Sequence, residues 1–192
     1  MPTLLGVQVA KARRAQMGGR AVLTAIFKTA VTGPVPVLPL GLEGDEQADL
    51  SVHGGLDKAV YAYPSEHYPF WSDARARTGH AEIDDALLFG CMGENLSLQG
   101  LLETQVWVGD VFEFTHCRLR VTSPREPCYK FNAAMGYSGA VRAMVQSGFC
   151  GWYLAVDEPG TISARESFEV TPGPRTVCIA DAFKTMMFKP LS

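Results

Sequence analysis

Apolar and polar residues alternate over short runs along most of the chain, and a period of two is typical of half-buried β-strands. The runs are separated by glycine and proline turns, a pattern that favours an all-β architecture over regularly alternating strands and helices. The predicted strands are 4–10, 21–28, 59–63, 106–108, 111–115, 117–122, 151–156 and 167–171. The proline-rich segment 33–39 is predicted to be extended or an edge strand, because proline donates no backbone hydrogen bond.

Three segments have helical patterns instead: 64–77, 138–148 and 179–187. Pro69 predicts a kink or restart in the first, whose aromatic residues we expect in the core. Ser138 and Gly148 are placed as the N-cap and the C-terminal glycine of the second. The sequence therefore predicts a mostly β fold with α, a β-barrel decorated by a few helices. We expect one domain over residues 1–192, with a short C-terminal helical segment at about 178–188.

Composition places the chain among ordinary globular proteins, with 47% hydrophobic and 19% charged residues. A chain of 192 residues is expected to bury roughly 70% of its unfolded surface. The formal net charge of −3 argues against a nucleic-acid partner. No segment approaches the ~18 apolar residues of a membrane span, and the N-terminus lacks the order of a signal peptide. We therefore predict a cytoplasmic protein with no membrane partner.

The five cysteines are odd in number and contain no C-x-x-C pair, which favours reduced thiols over a disulfide framework or a structural zinc site. Cys128 differs from the others, because it lies in a turn that contains Pro124 and Pro127 and has Arg125 and Lys130 on either side. Positive charge favours the thiolate, which is the form of cysteine that attacks electrophiles or binds metals. The alternative is a buried cysteine that acts only as a small apolar side chain.

Two glycine-containing segments supply further polar groups. The charged loop 41–58 contains His53, followed by Gly54 and Gly55, whose backbone N–H groups can approach a ligand closely. Segment 93–96 offers Asn95 beside a glycine turn. Each motif alone is equally compatible with a plain surface turn.

The motifs become specific when they are taken in order: Gly-Leu-Glu-Gly-Asp-Glu-Gln at 41–47, His-Gly-Gly at 53–55, Gly-Glu-Asn-Leu at 93–96 and Pro-Arg-Glu-Pro-Cys-Tyr-Lys at 124–130. In this order and spacing they resemble the MOSC domain family, named for the C-terminal domain of molybdenum cofactor sulfurases, and within it the stand-alone bacterial YiiM-type proteins. The resemblance covers about residues 25–170.

This resemblance implies a curved β-barrel of the pyruvate-kinase-like type that binds the molybdenum–molybdopterin cofactor. It places the metal-ligating cysteine at Cys128 and cofactor contacts at Lys28, His53 and Arg125. YiiM-type proteins are associated with reducing N-hydroxylated bases such as N-hydroxylaminopurine to amines. Relatives of this type usually continue into a C-terminal helical bundle, which is missing after about Met187.

The residue chemistry agrees with the resemblance, because a cofactor with a phosphate and a pterin requires cations and backbone donors in a cleft. Arg125, Lys28, Lys130, Asn95 and the amides of residues 54–55 are of these types. His53 is the expected proton donor, since histidine titrates near neutral pH. The chain has no recognisable flavin, haem or iron–sulfur motif, so we expect a separate reductase to donate electrons.

Three other functions remain open at this stage. Cys128 could hold the cofactor or a sulfur atom as a carrier without turnover, or it could pair with His53 in a metal-free thiol enzyme. A purely structural interaction domain is the third, but it leaves the charged cysteine turn unexplained.

Overall fold

The computed structural model describes residues 1–48, 54–78 and 86–188, in which thirteen strands and four α-helices are found. The strands are β1 Thr3–Val9, β2 Arg13–Met17, β3 Arg20–Thr24, β4 Thr29–Ala30, β5 Val35–Leu38, β6 Gly41–Leu42, β7 Val60–Pro64, β8 Leu96–Gln99, β9 Val111–Glu113, β10 Arg118–Pro124, β11 Trp152–Glu158, β12 Gly160–Ile162 and β13 Glu169–Thr171. The helices are α1 Tyr68–Ala76, α2 Tyr129–Met135, α3 Ala140–Ser147 and α4 Ile179–Met187. None of the described helices is long and apolar enough to cross a bilayer.

Eight strands form the main sheet in the order β13-β9-β10-β11-β7-β8-β1-β4. Its pairings are antiparallel except for the parallel pair β7 and β8. The mostly β fold with a few helices is therefore confirmed. The closed barrel is not: among the described residues β13 and β4 are edge strands, and the start of β1 meets the segment before β13 only through an isolated bridge between Thr3 and Ser167 and a few backbone bonds.

The core lies against the centre of this sheet, where β7, β10 and β11 are rich in buried positions. Trp152 on β11 and Phe112 on β9 meet edge to face with ring centroids 6.2 Å apart. Trp71 on α1 contacts Phe131 on α2 in the same way, at 5.3 Å. Each fully buried large side chain contributes about 1.5–3 kcal/mol, so these aromatic residues fix α1 and α2 on the sheet.

The strand predicted for 21–28 is too long, because β3 ends at Thr24. The Thr24 hydroxyl accepts the Ile26 N–H (3.2 Å), and the Lys28 N–H bonds to the Ile26 carbonyl (3.1 Å). These local bonds turn the chain out of the ladder. Lys28 therefore lies in a tight turn rather than at the end of a strand.

Segment 33–39 contains an extended strand, β5, as predicted, but the expectation of an edge position is wrong, because β5 lies between β12 and β6 in a separate three-stranded sheet. Pro36 donates no hydrogen bond there, but its carbonyl accepts the Glu43 N–H (2.9 Å). Proline is tolerated here because the partner strands are only two and three residues long.

The strand predicted for 106–108 is also wrong. Trp107 makes one isolated bridge to Cys178, and its N–H bonds to the Asp110 carboxylate (3.1 Å), which turns the chain before a ladder can form.

Helix α3 begins at Ala140, two residues after the predicted cap Ser138. The side chain of Asn132 on α2 accepts the Val141 N–H (2.8 Å) and so acts as the cap from a distance. Gly148 ends α3 with φ of 76°, as predicted.

Candidate functional site

The cysteine turn joins β10 to α2. Strand β10 ends at Pro124, and Cys128 directly precedes the first residue of α2 with extended backbone angles. The Cys128 carbonyl accepts the Phe131 N–H (2.9 Å), and the thiol is partly exposed. The sequence predicted the strand end and the turn, whereas it gave no sign of the seven-residue helix α2.

Cys128 lines an open cleft that encloses about 680 Å³ of space not filled by protein atoms, part of it continuous with solvent. Six predicted site residues line it, namely Lys28, Gly54, Asn95, Arg125, Cys128 and Lys130. Gly55 begins the 3₁₀ turn Leu56–Lys58 beside the cleft but is not part of its wall. His53 lies outside the described residues.

Arg125 is a buried cation, with only 4% of its surface exposed. Its guanidinium lies between the rings of Tyr61 and Phe131, 5.0 Å from each centroid, and contacts Met144 Sδ at 3.9 Å. No carboxylate among the described residues lies within 4.0 Å of it. Because guanidinium stays charged and a buried charge is costly without a counter-ion, this position favours an anionic ligand.

Asp45 is the residue that sequence reasoning missed. Its carboxylate accepts hydrogen bonds from Lys28 Nζ (2.5 Å), Asn95 Nδ2 (2.9 Å) and the Ala10 N–H (2.8 Å). The Lys28 and Asp45 side chains are 7% and 6% exposed. Burial lowers the pKa of Lys28, and the attraction of Asp45 offsets part of that shift. The charge of Lys28 is therefore compensated by Asp45, so Lys28 is not a free cation in the cleft.

Both polar atoms of the Asn95 side-chain amide form hydrogen bonds within the protein. Its Oδ1 accepts the Tyr61 N–H (3.1 Å), and Nδ2 donates to the Gln8 carbonyl (3.1 Å) as well as to Asp45. These bonds join β7, β1 and the Asp45 loop. Asn95 therefore fixes the position of Asp45, and through it that of Lys28.

A turn from Gly90 to Gly93 brings Asn95 to this position. Both glycines have positive φ, 97° and 82°. A Cβ at Gly90 would lie 2.7 Å from the Lys28 carbonyl, and one at Gly93 would lie 2.9 Å from Ile26 Cγ1. The turn can pack against the segment 26–28 only because both side chains are absent.

Glu94 points away from the cleft and is fully buried. It accepts hydrogen bonds from the Tyr68 hydroxyl, the Gly90 N–H (2.7 Å), the Met92 N–H (3.1 Å) and Ser97 Oγ (2.8 Å). Burial raises the pKa of Glu94, and the bonds from Tyr68 and Gly90 partly offset this. Glu94 is a structural carboxylate that holds the turn and α1 together.

We expect Glu94→Gln to destabilise the cofactor-free protein by about 1–3 kcal/mol, because the amide nitrogen cannot accept the donors that one carboxylate oxygen now serves. Urea unfolding followed by circular dichroism measures this loss. The exposed Glu169→Gln is the matched control and should change stability by less than about 0.5 kcal/mol. Equal stability of both variants would show that the buried network is not needed.

The other cysteines differ from Cys128 in their surroundings. All five are free thiols, as predicted, and Cys117, Cys150 and Cys178 are buried. Burial raises the pKa of Cys91 and of Cys117 to about 12, and it raises that of Cys150 well above its ordinary value. Of the cysteines, Cys128 alone is among the described residues that line the cleft.

Comparison with known proteins places these features in a family. A model of the MOSC domain matches residues 49–169. Protein YiiM of Escherichia coli is 41% identical over 159 residues, which is 83% of this chain and 69% of that protein. A protein of Gibberella moniliformis named a reductase is 31% identical over 172 residues, which is 89% of this chain but only 29% of the fungal protein.

The fold agrees with this similarity. The crystal structure of YiiM from Escherichia coli superposes with a TM-score of 0.76 and 28% identity, covering 100% of this chain and 80% of that one. The likeness therefore includes strands and helices on both sides of the cleft.

Proposed function

Since the chain belongs to the MOSC domain family, we propose that it binds a molybdenum–molybdopterin cofactor in the cleft and reduces N-hydroxylated compounds to amines. One observation carries this proposal: a partly exposed thiol, Cys128, lines the same cleft as Arg125, a buried cation with no carboxylate within 4.0 Å in the described part of the chain. A thiol suits a soft metal, and an unpaired guanidinium suits a phosphate.

The residues fit a cofactor better than a bare metal ion. Among the described residues, no group of three or more His, Cys, Asp or Glu side chains is placed to hold a metal. A single cysteine can complete the coordination of a metal whose other ligands belong to a cofactor. The buried Arg125, for which the described residues offer no counter-ion, suits the phosphate of such a cofactor.

In this proposal Cys128 is the metal ligand and Arg125 binds the cofactor's phosphate. Asn95 and Lys28 act through Asp45, which fixes both side chains in the cleft wall. Gly54, with φ of 112° and no side chain, leaves its backbone free to approach the cofactor, with Gly55 next to it. Lys130 adds a cation at the rim.

The proposed reaction converts R–NH–OH, two electrons and two protons into R–NH₂ and water. When bound, the cofactor supplies the two-electron reduction. The protein's own part is to orient the N–O bond and to deliver a proton to the departing oxygen, and we assign the proton transfer to His53. The electrons come from a separate reductase, and the 31% identity to a protein named a reductase supports redox chemistry in this fold.

The reaction is tested by amine formation from N-hydroxylaminopurine, with protein purified anaerobically from a cofactor-producing host and a chemical reductant as electron donor. We expect amine only from the cofactor-loaded protein. Loaded protein that gives no more amine than cofactor-free protein would contradict the reductase proposal. Stable cofactor binding in that case would favour the carrier.

Arg125→Leu is expected to weaken cofactor binding by about one to two decades, which corresponds to the roughly 1.5–3 kcal/mol of a charge-assisted hydrogen bond. Leucine keeps an apolar side chain between the two rings, so the cofactor-free protein should remain folded. Cofactor retained through dialysis measures the effect. Arg120→Leu, which removes an arginine paired with Asp157, is the control and should retain cofactor as the wild type does. Equal retention by both variants would place the phosphate elsewhere.

A further inference from the structure

The charges of this chain are unevenly distributed along its length. No acidic residue precedes Glu43, whereas Lys11, Arg13, Arg14, Arg20 and Lys28 all do, in a protein whose formal net charge is −3. The first four of these residues belong to the hairpin of β2 and β3 or immediately precede it. The hairpin is therefore a basic element on an otherwise acidic chain.

Most of this charge is not neutralised by the protein. Lys28 pairs with Asp45, and Lys11 pairs with Glu46 at 3.2 Å. The guanidinium of Arg13 lies 5.2 Å from the ring centroid of Phe27. Arg13, Arg14 and Arg20 are exposed and have no carboxylate within 4.0 Å among the described residues.

The base of this hairpin forms one rim of the cleft. Thr24, the last residue of β3, lines the cleft, and Arg13 lies directly opposite it in the β2–β3 ladder. Lys130, which also lines the cleft, donates from Nζ to the Leu23 carbonyl at 3.2 Å. Lys130 therefore contacts the hairpin where it joins the cleft, and Arg13 is paired with a residue of the cleft wall.

The acidic groups of the cleft do not cancel these rim cations. Asp45 forms an ion pair with Lys28, and Glu46 forms one with Lys11 and accepts a hydrogen bond from the Ala12 N–H (2.8 Å). Arg125 lies deep and buried, whereas Arg13 is exposed at the rim. Within the described ranges, the cleft thus has one positive position without a paired carboxylate deep inside, Arg125, and a second beside its entrance, Arg13.

From this arrangement we infer that the preferred substrates are anionic: N-hydroxylated bases that carry a phosphate, as in a nucleotide. This inference rests on the proposed function, in which Arg125 serves the cofactor. The rim cations then receive the substrate's phosphate while the base lies deeper in the cleft. Each exposed ion pair changes affinity by up to about fivefold, so two or three together give roughly tenfold selectivity at low salt.

The test compares N-hydroxylaminopurine ribonucleoside with its monophosphate, because the two differ only in the phosphate. We expect kcat/KM to be about tenfold higher for the monophosphate at low ionic strength, and the ratio to fall toward unity at high salt. Arg13→Glu should abolish this preference and leave kcat/KM for the nucleoside unchanged, and Arg14→Glu, on the other face of β2, should reduce the preference by removing a neighbouring exposed cation. Arg165→Glu is the control: its N–H bonds to Leu4 at the far end of β1 from the hairpin (2.6 Å), so the preference should persist.

A binding measurement separates this inference from the proposed reaction. Calorimetric titration with adenosine monophosphate and adenosine, the amine products, should show the same preference and the same loss in the hairpin variants. Equal kcat/KM for nucleoside and monophosphate at low salt, or an unchanged preference in both hairpin variants, overturns the inference. Preferential monophosphate binding without amine formation from either substrate overturns the reaction and retains the inference that the cationic rim binds phosphate.

Discussion

Cys128→Ser is expected to abolish molybdenum retention in protein purified anaerobically from a cofactor-producing host. Serine keeps the size of the side chain but replaces a soft sulfur ligand with a hard hydroxyl that is not ionised near neutral pH. Cys128 is partly exposed on the cleft wall, so the change should leave the fold intact. Metal analysis by mass spectrometry and pterin fluorescence, each relative to protein concentration, measure the loss.

Cys91→Ser and Cys178→Ser are the matched controls, because both remove a free thiol that is not among the described residues of the cleft wall. Both should retain metal as the wild type does. Full retention in Cys128→Ser would contradict its role as the metal ligand. Equal loss in all three variants, with equal loss of thermal stability, would indicate misfolding and would equally contradict a specific role.

Asp45→Ala is expected to destabilise the cofactor-free protein by about 3–5 kcal/mol. It leaves the Lys28 ammonium buried without its counter-ion and removes the acceptor of the Asn95 amide and the Ala10 N–H. Breaking a buried pair from one side is costly because the remaining charge is uncompensated. Urea unfolding gives the change in the free energy of unfolding.

The double variant Lys28→Met, Asp45→Ala tests this explanation. It removes the uncompensated charge, so it should be more stable than Asp45→Ala alone although it carries one more substitution. Asp157→Ala is the control for an exposed pair: its partner Arg120 is 42% exposed, and the expected loss is below about 1 kcal/mol. A double variant less stable than Asp45→Ala would show that Lys28 contributes mainly by packing.

Much of the fold follows from local pattern. The predicted strands 4–10 and 117–122 correspond closely to β1 and β10, and the predicted helix 138–148 corresponds to α3. These predictions succeed because burial of one face of an element sets the spacing of its apolar residues. Segments 21–28 and 106–108 misled for one reason. In each, one side chain accepts a backbone N–H and turns the chain: Thr24 ends the ladder halfway through 21–28, and Asp110 prevents a ladder at 106–108.

The site was predictable only in part. Cations and prolines next to Cys128 in sequence marked that turn, and the structure places Arg125 and Lys130 in the same cleft. The role of Asp45 was not predictable, because it depends on Asn95, fifty residues away along the chain. Pairing with Asp45 also turns Lys28, expected as a free cation, into half of an internal ion pair. Sequence patterns report residue types, whereas these roles depend on long-range contacts.

The most direct test of the central claim is the molybdenum and pterin content of wild-type protein, purified anaerobically from a host that makes the cofactor and from one that cannot. We predict molybdenum and pterin in equimolar amounts with the chain from the first host and neither from the second. Once the cofactor has been removed from the first preparation, the two should have the same thermal stability. Protein from the first host that contains neither molybdenum nor pterin, while a known molybdenum enzyme expressed beside it is loaded, would contradict the account.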